Sequence, residues 1–268
     1  MMKPIILILA LLLPVMILSS CRFTRKMLYY PAPVPEKRIR HIQEAYPHVS
    51  RLDIKVAEKL NLRGWFIHKN LRDLPTLLYF GGNGEEVSEN IETMDRQLNA
   101  NVVLMNYRGY GKSDGSPREK ALKADALAIH DYIMAHYPVK RTDLIACGRS
   151  LGSGIAAYVT WKRDLPALIL ISPYDSIAGV ARQHFPGWLV RLTLRDTYQT
   201  IAFSPRLTAR TLVIASENDT VIPVNHSQRL YESLTCEKSM VLINEASHND
   251  FQLHRAYWRA LQDFIGSK

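Results

Sequence analysis

The sequence predicts an α/β fold: a mainly parallel central sheet, an antiparallel hairpin on its N-terminal side, and helices on both faces. Three observations carry that expectation. Short apolar runs alternate with longer helical segments from residue 76 onward. Those runs are apolar throughout, as strands covered on both faces must be. Two stretches with alternating side chains and many β formers come before them, in the pattern of a hairpin.

Residues 51–56 and 60–68 are the two arms of the hairpin, which turns at Glu58-Lys59. Residues 76–80 form a buried strand that runs into Gly81-Gly82-Asn83-Gly84. A helix is expected over 85–98, a strand over 102–107, and a glycine-rich loop over 108–116. Ser116-Pro117-Arg118-Glu119 reads as a capping box with proline at the first helical position, opening a helix to about residue 136. Strand 143–147, helix 151–161 and strand 167–172 follow. Strand 211–216, a helix from about residue 223, strand 240–243 and a last helix over about 250–265 complete a single domain, residues 49–268. No internal repeat is present. In such sheets the chemistry sits at the carboxyl ends of the strands.

Composition narrows the function classes. Of the 268 residues, 47% are hydrophobic and 22% charged, which supplies a core and excludes a disordered or low-complexity chain. Cys21, Cys147 and Cys236 contain no CxxC pair, which argues against a disulfide scaffold and a structural zinc site. No metal or organic cofactor is expected. The net charge of +9 is spread among acidic residues, with no basic helix or RNA-binding motif. The expectation is a solvated surface with a bias toward anionic lipid and no nucleic-acid partner.

The N-terminus reads as a targeting segment. Met1 to Lys3 carry positive charge, and residues 4–18 are almost wholly apolar, broken by Pro14. The run is shorter than the roughly 20 residues of a spanning helix and suits a signal-peptide core. It ends in Leu18-Ser19-Ser20-Cys21, which resembles a bacterial lipobox with Cys21 as the lipidated residue. Residues 1–20 are then a lipoprotein-type signal peptide. The chain is expected at the cell membrane, lipid-anchored on the periplasmic or extracytoplasmic side. The alternative is an uncleaved anchor helix, favoured by Arg22, Arg25 and Lys26 behind the run. Residues 21–48 are expected as a lipid-anchored tether, since Tyr30-Pro31-Ala32-Pro33-Val34-Pro35 favours extended chain.

G-x-S-x-G occurs twice, around Ser113 and around Ser150. A nucleophilic serine needs a sharp strand-to-helix turn with small neighbours. Ser150 stands between the strand ending at Cys147 and the helix Leu151-Gly152-Ser153-Gly154, whereas Ser113 sits in a loop and is read as structural. Its partners should follow in the order serine, acid, histidine. Asp219 follows the strand ending at Ser216, and His248 lies between the last strand and the last helix. His248 would take the serine proton and Asp219 would hold its tautomer. Asp175 and Glu217 are rival acids. Asp250 is read as the cap of the last helix, and His226 and His254 as surface or packing residues. His68 lies on the wrong side of the sequence order. An oxyanion needs two pre-aimed N–H donors. The expected pair is the amide of Leu151 and, from the glycine-rich turn, that of Asn83.

Taken together, Phe80 to Gly84, Asn106 to Ser113, Gly148 to Gly152, Ser172 to Ser176 and Ser247 to Asp250 resemble the α/β-hydrolase superfamily. The resemblance is to its small membrane-associated hydrolases, related to depalmitoylases and monoacylglycerol lipases, and to bacterial lipoprotein relatives. It implies the α/β-hydrolase fold with a short lid, and the loop from Asn106 packed beside the oxyanion turn. The family usually has His-Gly-Asn where this chain has Gly81-Gly82-Asn83, which removes a structural hydrogen bond but leaves the main-chain donor. The lid falls within 172–211 and holds Phe185, Trp188, Leu189, Val190, Leu192 and Leu194 among Arg182, Arg191 and Arg195. Most of these are expected to pack on the core, and the alternative is an acyl-binding rim. The functional expectation is a monomeric serine hydrolase cleaving carboxylic ester or thioester bonds of small acyl substrates through an acyl-serine intermediate. The alternatives are a serine peptidase or aminoacyl hydrolase, and a catalytically silent membrane-tethered binding lipoprotein.

Overall fold

The chain's computed structural model describes residues 28–267. The expected signal peptide and the lipidation site Cys21 lie outside the described residues, as does the start of the expected tether.

Later parts of that stretch do not form an extended tether. Pro35 fixes an extended φ ahead of helix α1, Glu36–Ala45, which turns Ile39 and Ile42 into the core. Burying those two side chains stabilises the docked helix by roughly 2 kcal/mol each. Pro47 ends it by disfavouring helical backbone at Tyr46. Tyr29 and Val34 are buried as well. Residues 29–35 form neither helix nor strand, and Pro35 is extended, but the proline spacing hides the Ile39/Ile42 pair three residues apart.

Strands β1 (Val49–Ala57) and β2 (Leu60–Ile67) form the expected hairpin, with Val49 opposite Ile67 and Leu52 opposite Gly64. β3 (Thr76–Phe80), β4 (Asn101–Met105), β5 (Leu144–Arg149), β6 (Ala167–Ile171), β7 (Arg210–Ala215) and β8 (Lys238–Leu242) complete an eight-stranded sheet among the described residues, in the order β1-β2-β4-β3-β5-β6-β7-β8. The hairpin joins β4 antiparallel, and every pairing from β4 to β8 is parallel. Successive residues of each central strand face opposite cores. Leu78 and Phe80 join one cluster, while Leu77 and Tyr79 join the other.

Helices α3 (Glu119–His136), α4 (Leu151–Arg163) and α7 (Val224–Ser233) cover one face. Helices α1, α2 (Ile91–Gln97) and α8 (Arg255–Gly266) cover the other. Between β6 and β7 lie α5 (Ile177–His184) and α6 (Gly187–Thr193), the short lid. The strand order reverses at β3, with β4 on one side and β5 on the other, which makes the carboxyl ends of β3 and β5 the topological switch point where sites of such sheets lie.

Two local expectations differ. The Ser116–Glu119 capping box does not close: Arg118 precedes α3, and the Glu119 carboxylate accepts the amides of Thr197 (2.8 Å) and Tyr198 (3.0 Å). Long-range amides displaced the local partner. The helix expected from residue 85 begins only with a 3-10 turn at Val87–Asn90, because Glu85 and Glu86 reach to Gly82 and Asn106.

Candidate active site

β5 ends at Arg149 and α4 starts at Leu151, so Ser150 alone makes the turn. Its φ of 51° and ψ of −118° lie in the left-handed half of backbone space, a strain of about 1–3 kcal/mol for a side-chain-bearing residue. Hydrogen bonds hold it there. The Ser150 amide donates to the Ile171 carbonyl (2.9 Å), and its carbonyl accepts from the Ser153 amide (2.9 Å) and hydroxyl (2.7 Å). The turn also needs missing side chains. A Cβ on Gly152 would strike the Phe80 carbonyl oxygen, and one on Gly148 would lie 2.7 Å from the Ala156 Cβ.

The loops after β7 and β8 bring Asp219 and His248 to the same edge. His248 Nε2 lies 3.0 Å from Ser150 Oγ, and His248 Nδ1 lies 2.8 Å from Asp219 Oδ2. All three residues are buried. The carboxylate can only accept, which puts the imidazole proton on Nδ1 and leaves Nε2 to accept the Ser150 hydroxyl. Asp219 Oδ1 accepts the amides of Val221 (2.9 Å) and Ile222 (2.8 Å). Burial pushes the Asp219 carboxyl up, but hydrogen bonds from His248 and Ser172 outweigh it and hold the group below its ordinary value.

The turn after β3 borders the serine: a Cβ on Gly82 would sit 3.7 Å from the Ser150 Cβ. Asn83 is exposed, and its side-chain oxygen accepts from the Tyr30 amide and the Tyr110 hydroxyl, both at 2.9 Å. The Tyr107 hydroxyl donates to the Gly81 carbonyl (2.7 Å). The loop from Asn106 thus packs beside the turn, as the resemblance implied. Leu151 begins α4, where unpaired helix N–H groups favour negative charge. Among the described residues no cluster of three or more His, Cys, Asp or Glu side chains could hold a metal ion.

A family model described as the alpha/beta hydrolase fold matches residues 75–194, the segment that holds the turn, the elbow and the lid. An uncharacterized protein of Mycobacterium tuberculosis is 30% identical, over 93% of this chain and 89% of its own. The chain belongs to the α/β-hydrolase superfamily. An uncharacterized membrane protein of Saccharomyces cerevisiae is 32% identical over 81% of this chain and 80% of its own. In fold, this α/β hydrolase resembles the esterase Pf2001 of Pyrococcus furiosus, with a TM-score of 0.67 at 18% identity over 89% and 98% of the two chains.

Two residues at the site of this hydrolase are not singled out by the sequence. Ser172, at positive φ directly after β6, donates its hydroxyl to Asp219 Oδ2, with its oxygen 3.2 Å from His248 Nδ1. Its place at a strand end was the available hint. The second is Glu85, next to where a side chain at position 81 would project. Its carboxylate accepts from the Gly82 amide, the Tyr79 hydroxyl and the Asn90 amide group, each at 2.7 Å. It also pairs with Arg149 at 2.9 Å, and Arg149 donates to the His248 carbonyl (2.9 Å) and to Asn249 Oδ1 (3.1 Å). This ion pair ties the turn after β3, the elbow and the histidine loop together, at the position where the resemblance implied a histidine.

The remaining candidates fall elsewhere. Ser113 is structural: its oxygen accepts the Arg63 amide (2.8 Å) and its hydroxyl donates to the Asn106 carbonyl (3.1 Å). Asp175 pairs with His226 (2.7 Å) and Arg229 (2.8 Å) at the base of the lid, which makes His226 a buried packing residue. Glu217 is exposed. Asp250 does not cap α8; it accepts the Ser247 amide and hydroxyl, both at 2.6 Å, and so braces the histidine loop. Cys147 and Cys236 are free, and burial raises the Cys147 thiol.

Asp219 and Asp175 give the fold an acid sensitivity of definite sign. Burial raises the Asp175 carboxyl, and His226 and Arg229 bring it below its ordinary value. A carboxyl depressed on folding binds fewer protons folded than unfolded. Its stabilisation is complete above the unfolded value, about pH 4, and is lost as pH falls through the depressed one. Thermal melts from about pH 7 down to about pH 3 should show Tm falling below about pH 4. Asp175→Asn should lower Tm at neutral pH and flatten that acid limb; an unchanged limb would remove Asp175 as a source.

Proposed function

We propose that this α/β hydrolase cleaves carboxylic esters or thioesters through an acyl-Ser150 intermediate. The observation that supports it most is the unbroken line of hydrogen bonds from Ser150 through His248 to Asp219. Ser150 Oγ bonds to the acyl carbon as its proton passes to His248 Nε2, and the carbonyl oxygen takes the displaced electron pair. The amides of Asn83 and Leu151 donate to that oxyanion. Asp219 stabilises the imidazolium and keeps its ring oriented. The carbonyl reforms and expels the alcohol or thiol, which leaves with the proton from Nε2. Water then attacks the acyl carbon by the same route, releasing the acid and restoring Ser150.

The test is labelling by a fluorophosphonate, followed by mapping of the adduct. A single phosphonylated peptide containing Ser150 is expected. An unlabelled wild type would favour a silent binding scaffold. A panel of p-nitrophenyl esters, thioesters and peptides should be cleaved only in its ester and thioester members.

Glu85 is a positioning residue in this reading. Glu85→Gln keeps the volume but loses the ion pair with Arg149 and one acceptor of the turn. Misplacement of an oxyanion donor by an ångström is enough to lower kcat about 10- to 100-fold. KM should change little, and the rate of fluorophosphonate labelling should fall with kcat; parallel wild-type values would make Glu85 a packing residue only.

Membrane attachment through lipidated Cys21 belongs to the same reading. It is supported by the apolar run 4–18, which is followed by Ser19-Ser20-Cys21, and by the relative named a membrane protein. Among the described residues no helix is long and apolar enough to cross a membrane. Cys21→Ser should move most of the chain out of the membrane fraction; retention there would favour the uncleaved anchor.

A further inference from the structure

The lid does not bury its apolar side as its pattern suggests. In α6 only Val190 is buried, while Trp188 is 70% exposed and Leu192 48%. Phe185, in the link from α5, is 45% exposed. Exposed large apolar side chains clustered on one short element mark an interaction surface. Arg182 and Arg191 share one shallow groove with Trp188 and Leu192, and both arginines are exposed. From Ser176 to Arg195 the chain carries three arginines and no acidic residue. An apolar patch whose most exposed member is Trp188, with Arg182 and Arg191 beside it, has the chemistry of an interfacial element on an anionic bilayer.

The course of the chain adds an independent argument. Tyr29 donates its hydroxyl to Asp196 Oδ2 (3.0 Å) and meets the Tyr198 hydroxyl (2.9 Å), at the foot of the lid. The Tyr30 amide donates to Asn83 in the turn beside Ser150. The chain leading in from Cys21 therefore enters the domain, at Tyr29 and Tyr30, between the lid and the turn after β3. The turn after β3, Ser150 after β5 and the lid after β6 all follow the carboxyl ends of parallel strands, so the joining point, the lid and the serine share that edge of the sheet.

We propose that the face formed by Phe185, Trp188 and Leu192, with Arg182 and Arg191, docks on an anionic phospholipid bilayer and turns the Ser150 edge of the sheet toward it. Trp188 is the sensitive reporter. The other three tryptophans, Trp65, Trp161 and Trp258, are buried or half-buried.

The experiment uses the full chain reconstituted with vesicles of phosphatidylglycerol and phosphatidylcholine whose acyl chains are brominated. Wild type should lose about the fluorescence of one tryptophan in four relative to unbrominated vesicles. Trp188→Phe should abolish that quenching. Arg182→Gln with Arg191→Gln should cut it by more than half, and high salt should do the same to wild type. Quenching no greater than in Trp188→Phe, on protein that floats with the vesicles, would overturn the proposal. Full quenching in the arginine variants would overturn its commitment to anionic lipid. A particle of twice the monomer mass with Trp188 shielded before lipid is added would assign the face to a second copy instead. The readout requires no turnover, so it succeeds or fails independently of the hydrolase reading; Ser150→Ala should quench like wild type.

Discussion

Ser150→Ala is expected to lower hydrolysis of short p-nitrophenyl esters by at least about 10⁴-fold and to abolish fluorophosphonate labelling, with the fold unchanged. A 10⁴-fold loss is about 5.5 kcal/mol of transition-state stabilisation. That exceeds what any single binding contact at this edge can supply, because only loss of the nucleophile removes the covalent route. Alanine keeps the Cβ, so the strained turn and its packing survive. The Ser150 amide and carbonyl bonds that hold the turn are main chain on the serine side. Tm should therefore stay within about 2 °C of wild type. The second G-x-S-x-G supplies the control. Ser113→Ala leaves the Arg63 amide without its buried acceptor and should destabilise by about 1–3 kcal/mol while labelling persists. Reversal of the two outcomes, or labelling that survives Ser150→Ala, would end the assignment of the nucleophile.

The same two serines mark what the sequence could reveal. Strand and helix patterns flank Ser150 within a few residues, and a strained elbow is a local device, so it can be read locally. Asp219 and His248 were legible for a related reason. Each follows a strand, and parallel strands deliver their ends to one edge. The order of the elements was equally readable, because fully apolar runs have few other uses in a chain of this composition.

What escaped notice depends on partners far apart in sequence. Glu85 meets Arg149 across 64 residues, and Ser172 meets Asp219 across 47. Neither has a spacing that signals it. Glu119 looked like a helix cap because its local context allowed it; two amides from residues 197 and 198 took it instead. Asp250 likewise turned back to Ser247 rather than forward to the helix. On the lid, the apolar pattern was real but its direction was not readable. Periodicity reports that a helix has an apolar side, not whether protein covers it.

Gly152→Ala should show how far the scaffold and the chemistry are one object. The methyl group would meet the Phe80 carbonyl oxygen and come within 2.6 Å of the Gly81 carbonyl oxygen. Both are backbone atoms, so no side chain can rotate away to make room. α4 must retreat from β3, or the end of β3 must shift. Gly148 allows no compensation, since it packs against the carbonyl of Gly152 and the Ala156 methyl. Overpacking at such a contact destabilises by about 3 kcal/mol, a fall in Tm on the order of 10 °C. The activity should fall further than the stability does. Phe80 and Gly81 lead into the turn that carries Asn83, and Leu151 is the neighbour of the substituted residue. A shift of α4 against β3 therefore moves the two expected oxyanion donors apart. Removing one such donor already lowers kcat by about 10²- to 10³-fold. Below its lowered Tm, folded Gly152→Ala should retain no more than about a hundredth of wild-type kcat. Wild-type turnover in a folded Gly152→Ala variant would mean that the glycine serves packing alone and that the oxyanion donors lie elsewhere.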